Sequence, residues 1–164
     1  MRNGAKVHTC GQFFDHIAKP DYRDFMADTT KVRAAMHAAL SHFHLHEWVF
    51  EEHKTNPANV FGCSSNSAFM GHLITNECAD FVLIKDVANA QKHFSLTRGS
   101  PSIAGAQNIA VRATGWDEGG YDEGPWGGSP SVIIDMGSGS IRHFSAVLRN
   151  VHEMWTRLFQ SQGW

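Results

Sequence analysis

The stretch Lys85-Asp86-Val87-Ala88-Asn89-Ala90-Gln91-Lys92-His93 carries the residue types and spacings best suited to chemistry. Asp86 and Asn89 are three residues apart, and Asn89 and His93 four, so on a helix all three share a face. An imidazole exchanges a proton near neutrality, a carboxylate orients it, and an amide or ammonium holds a polar or anionic ligand. His93 is therefore the candidate acid/base, with Asn89 as the orienting group and Asp86 as support. Lys92 and Lys85 are candidate ligand-binding cations, joined by Glu47 and His46 from the preceding helix. Val82 lies on the same face and predicts that the face turns inward. Unpaired polar groups buried there would cost about 1–3 kcal/mol each, so Glu47, His46 or His42 are the expected partners. The alternative reading is non-enzymatic: a buried Asp-Asn-His network that fixes helix register in a structural or interaction protein.

Histidine is the unusual residue of this chain, with eleven copies against three cysteines. His42 and His46 are four apart and share a helix face, where two neutral imidazoles can take a metal ion together. His44 points about 160° away from that pair on a helix turning roughly 100° per residue. No H-E-x-x-H follows, because His46-Glu47 leads into Trp48, Val49 and Phe50. A metal site on His42 and His46 thus competes with rings that hydrogen-bond between helices. Unperturbed rings titrate near 6.5, so the chain is expected to turn strongly positive below that pH.

The order Ala88-Asn89-Ala90-Gln91-Lys92-His93 resembles the R-N-x-x-x-H signature of HEPN-type helical domains. Asn89 and His93 match, whereas Ala88 stands where that family carries Arg. The resemblance implies a helical module that binds nucleotide or RNA in a toxin–antitoxin or phage-defence setting. It also implies a homodimer whose copies meet across the site. Catalysis would be metal-independent RNA cleavage through His93, and the missing Arg, which would engage RNA phosphate, weighs against it. Lys85 or Lys92 would have to supply that charge, as a point charge and not a bidentate fork. A wider pattern, from Leu45-His46-Glu47 through Cys78 to Lys92-His93, is similar to small uncharacterised bacterial and phage proteins over about residues 30 to 95. Arg149-Asn150-Val151-His152 is a shorter near-match, read as a solvated helix edge.

These groups need elements to hold them. Phe13, Phe14 and Ile17, then Tyr22, Phe25 and Met26, predict two helical pieces separated at Lys19-Pro20. Asp28, Thr29 and Thr30 offer caps for a long helix over about 31–53, which Thr55-Asn56-Pro57 stops. A helix over about 68–75 comes next, and Asn76 is expected to cap another that runs to about Phe94. Ile109 and Val111 read as a strand. Ser131–Met136 reads as a second, turned by Gly137-Ser138-Gly139 into a third near Ser140–His143. Gly115–Gly128, with Trp116, Tyr121 and Trp126 among acidic residues, reads as a long loop available to a site or a partner. A last helix spans about 145–160, with Val147, Leu148, Val151, Met154, Trp155, Leu158 and Phe159 as its apolar stripe.

The expected fold class is mainly α: a single-domain helical bundle (helical core about 12–95), a small antiparallel β-hairpin element with its loop (about 107–143), and a closing C-terminal helix. With 164 residues and 42% hydrophobic content the chain can bury a core. A formal charge of −2 offers no basic excess to announce nucleic-acid binding. No apolar run reaches a membrane span. Met1–Phe14 lacks the apolar core of a secretory signal, and Cys10, Cys63 and Cys78 are sparse and odd in number. A cytoplasmic protein with reduced thiols, no membrane partner and no cofactor is expected. Cys78 is expected to serve as a small buried hydrophobe.

Overall fold

The computed structural model describes residues 6–113, 128–137 and 139–164. The acidic aromatic loop, from Trp116 to Trp126, lies outside the described residues, as does Ser138 of the expected hairpin turn.

Helix α1 starts at Cys10–Phe13, passes through a π-helical turn at Phe14–Ala18 and continues as Lys19–Ala27. Thr9 caps it by accepting the Gln12 N–H at 3.1 Å. The expected break at Lys19-Pro20 does not occur. Proline lacks an N–H and its ring crowds the carbonyl four residues back. The π turn relieves this, because the Lys19 N–H reaches the more distant Phe14 carbonyl and the turn widens where Pro20 enters.

Helix α2 is Val32–His53, close to its expected span. Lys31 stands at its cap position without a side-chain cap bond, and Asp28 instead closes a local turn on the Thr30 amide and hydroxyl, at 3.1 and 2.6 Å. Helix α3 is Asn66–His72, extended by a π turn over Leu73–Glu77, and the Ser65 hydroxyl caps it from the Ala68 N–H at 3.2 Å. Helix α4 is only Phe81–Ala90, shorter than expected at both ends. Asn76 falls inside the π turn, where its amide pairs with His72 at 3.1 Å, and so caps nothing. Cys78 is half-buried in the intervening turn. At the other end the Lys92 and His93 amides both fold back on the Asn89 carbonyl, which closes the helix.

Strands β1 (Ile109–Arg112), β2 (Ser131–Gly137) and β3 (Ser140–His143) form an antiparallel sheet in the order β1-β2-β3. The expected hairpin is β2–β3, and β1 adds a third strand through pairs such as Ile109 with Ile134. The sheet buries Val132 and Ile134 against the helices. Helix α5, Phe144–Gln162, closes the domain. Val147, Leu148, Val151, Met154, Trp155 and Leu158 of its expected stripe are all buried. The mainly helical class, the small C-terminal sheet and the closing helix are as expected.

Helices α2 and α4 pack against each other and run antiparallel. The Phe81 ring, at the start of α4, meets His46 at 6.0 Å. Gln91, just past the end of α4, donates its side-chain amide to the Met36 carbonyl at 2.9 Å. This register decides which groups of the long helix can reach the Asp-Asn-His stretch.

Candidate functional site

Asp86, Asn89 and His93 line one open cavity of about 610 Å³, together with Lys85 and the loop that follows α4. His93 gets there by a different route from the expected one. It lies three residues beyond the helix and is exposed, while Asp86 and Asn89 project from the last turns. The loop returns on itself, with the Leu96 N–H on the Ala104 carbonyl at 2.8 Å. Thr97, Arg98 and Gly99 form the far wall of the cavity.

Asp86 is the one fully buried member, at 2% exposure. Its Oδ2 accepts the Ser102 N–H at 2.6 Å, and its Oδ1 stands 3.4 Å from the Lys85 ammonium. The carboxylate therefore fastens the loop to α4. Asn89 is half-buried, so only part of the face turns inward. The loop is fastened to the helix at Asp86, and α4 ends one residue after Asn89, at Ala90.

Lys92 does not line this cavity. It lines a neighbouring one of about 530 Å³ that shares His93 and includes Phe94 and Gln107. Phe94 is 97% exposed, a Phe ring held almost entirely in water. Around the two cavities stand Lys85, Lys92, His93 and Arg98, against one carboxylate that Lys85 and an amide already hold. Phe94 and Arg98 were missed in the sequence. The available signal was a lone aromatic between His93 and Arg98, with Leu96 as the only other apolar residue of that run.

Glu47, His46 and His42 are not the partners of Asp86. The Asp86 carboxylate is taken up by the Ser102 N–H and the Lys85 ammonium, and the two His42 ring nitrogens are engaged by the Ala38 carbonyl and His152. Glu47 is exposed and pairs with His44 at 3.1 Å. His46 is buried, its Nδ1 bonded to the Phe43 carbonyl of its own helix. Its burial holds the imidazole below its ordinary titration range.

His42 and His46 also do not act as a pair. The His42 Nδ1 bonds to the Ala38 carbonyl at 2.9 Å, and its Nε2 meets His152 Nδ1 at 3.0 Å. Among the described residues, neither ring belongs to a cluster of three or more metal-ligating side chains. His152 is correspondingly no solvated edge: Tyr22 stacks on it at 4.0 Å with planes 6° apart. Burial lowers His42 to about 3 and His152 to about 4. The expected charge swing near pH 6.5 therefore excludes His42, His46 and His152.

Ala88 is buried at 2% exposure and turns into the core, away from both cavities. Among the described residues, no helix is long and apolar enough to cross a membrane. Cys10, Cys63 and Cys78 are all free thiols. No family model, no curated protein and no solved structure matches the chain.

Proposed function

We propose that this protein binds a nucleotide or single-stranded RNA across the two adjoining cavities at the end of α4. The observation that carries the reading is Phe94, 97% exposed between Lys92-His93 and the Arg98 loop. Leaving such a ring in water forgoes roughly 1.5–3 kcal/mol of burial. An unstacked base recovers that area and adds stacking of about 1–3 kcal/mol. Lys85, Lys92 and Arg98 would meet the phosphates, as cations flanking an aromatic platform do in single-strand binders. Asn89 has an amide to offer a base or a sugar hydroxyl.

Cleavage is the weaker half of the reading. His93 would be the acid/base and Asn89 its orienting group, but Asp86 is turned to Ser102 and not to His93. Asp86 belongs to the alternative reading, a structural network, for which its burial and its amide bond speak. A HEPN-like defence context rests on the Asn89 and His93 spacing alone.

The test is fluorescence anisotropy of a short labelled single-stranded RNA and of a labelled mononucleotide, at low salt. The wild-type chain should bind one or both, and Phe94→Ala should weaken binding about tenfold or more. Lys92→Gln and Arg98→Gln should each flatten the salt dependence. A folded wild-type chain that binds neither probe, or binding that ignores all three substitutions, would overturn the proposal. RNA degradation equal in wild type and His93→Ala would remove the catalytic half only.

A further inference from the structure

Far from these cavities, the first turn of α1 meets the last turn of α2. Cys10 Sγ lies 3.6 Å from His53 Nε2, and the Cys10 N–H donates to Glu52 Oε2 at 2.6 Å. One donor atom from each of Cys10, Glu52 and His53 falls within 4.8 Å of the others. We propose that Cys10, Glu52 and His53 form a binding site for a zinc-class divalent metal ion, with a fourth position open to water.

The distances favour this over an ordinary thiol contact. Zinc binds thiolate at about 2.3 Å and imidazole at about 2.0–2.1 Å, so ligands a tetrahedral angle apart stand roughly 3.6 Å from each other. That is the Cys10–His53 separation already present. One sulfur, one nitrogen and one carboxylate oxygen make a borderline set suited to zinc and unsuited to the all-oxygen shells of calcium or magnesium. The charges also balance: a thiolate, a carboxylate and a neutral imidazole cancel a divalent ion. The thiol proton leaves to solvent as the S–metal bond forms, and no electron is transferred.

A nucleophilic cysteine fits these residues less well. Burial and the nearby Glu52 carboxylate push the Cys10 thiol up to about 12, so without a cation it stays protonated. Glu52 faces Cys10 and not the far nitrogen of His53, as an orienting acid would. The Trp164 ring stacks beside His53 at 6.0 Å with planes 26° apart. Glu52 is exposed and His53 half-buried, which leaves an ion a way in.

The test uses the full metal-free chain and cobalt(II), which reports thiolate ligation through a near-ultraviolet charge-transfer band and tetrahedral geometry through strong visible bands. The chain should bind one equivalent with both signatures, and zinc should displace it. A Cys63→Ser/Cys78→Ser double variant should keep the charge-transfer band, and Cys10→Ser should lose it. Because Cys10 is buried, Glu52→Gln and His53→Gln provide surface substitutions less disruptive to folding. Each should weaken cobalt binding at least as much as the roughly 10–100-fold that loss of an outer-shell partner costs. The proposal is overturned by a folded wild-type chain without a charge-transfer band at saturating cobalt. It is equally overturned by a band that survives in folded Cys10→Ser, or by binding that Glu52→Gln and His53→Gln both leave unchanged.

Discussion

His42 and His152 meet nitrogen to nitrogen, 3.0 Å apart, at the junction of α2 and α5. The tautomers follow from the neighbours. A carbonyl can only accept, so His42 Nδ1 carries the proton given to Ala38, and its Nε2 accepts from His152 Nδ1–H. Both rings are held neutral by burial, His42 at about 3 and His152 at about 4, well below the 6.5 of an unfolded chain. Between those values the unfolded state binds more protons, so stability rises with pH there and is lost as pH falls from about 6.5. A fully buried His42 contributes on the order of 1.4 kcal/mol per pH unit, and half-buried His152 less. Thermal melts from pH 7.5 to 4 should show a falling Tm, and a shallower fall in His42→Gln. A flat profile would contradict the neutral pair.

Asp86 should matter to folding more than to ligand binding. Asp86→Ala leaves the Ser102 N–H without its acceptor and Lys85 without its counter-charge. Chemical denaturation should show a loss of about 1–3 kcal/mol, and amide exchange should speed up over residues 95–105. Asn89→Ala, at a half-buried position, should leave stability within about 0.5 kcal/mol and reduce only ligand affinity.

Asp80 holds the start of α4 to the sheet and to α5. Its two oxygens take Arg142 as a bidentate pair at 3.0 and 3.1 Å, and Asn150 adds a bond at 2.7 Å. Arg142→Lys cannot reproduce the fork. We expect Asp80→Ala to destabilise by about 1–3 kcal/mol and Arg142→Lys by less, both read from urea midpoints. Equal, negligible shifts in the two variants would mean that the cluster does not tie these elements together.

Gly105 is required by close approach. A Cβ there would sit 2.7 Å from the Phe94 carbonyl and 2.6 Å from the Gln107 side chain. The side chain can swing aside, but the carbonyl belongs to the backbone that carries Phe94. Gly105→Ala should therefore cost about 1–3 kcal/mol as an overpacked site does and should weaken RNA binding through a displaced Phe94. Unchanged stability together with unchanged affinity would show that this segment tolerates the shift.

Local patterns settled much of this molecule. The apolar spacing of α2 and α5, the alternation and glycines around β2 and β3, and the Pro57 stop are properties of short windows, and each reappears in the structure. Asp86 and Asn89 share the helical face that their three-residue spacing implies, whereas His93 reaches the same cavity from beyond the helix end, which the spacing does not show. What sequence could not supply was register between distant segments. Two antiparallel helices can slide by whole turns with little change in apolar matching. Only the packed structure shows that His46 meets Phe81 while Met36 meets Gln91. The same holds for His42 with His152, 110 residues apart, and for Cys10 with Glu52 and His53. Histidine excess was visible in composition. Which rings are sealed neutral in the core, which line a cavity and which stands beside a thiol depend on burial, and burial is set by tertiary packing.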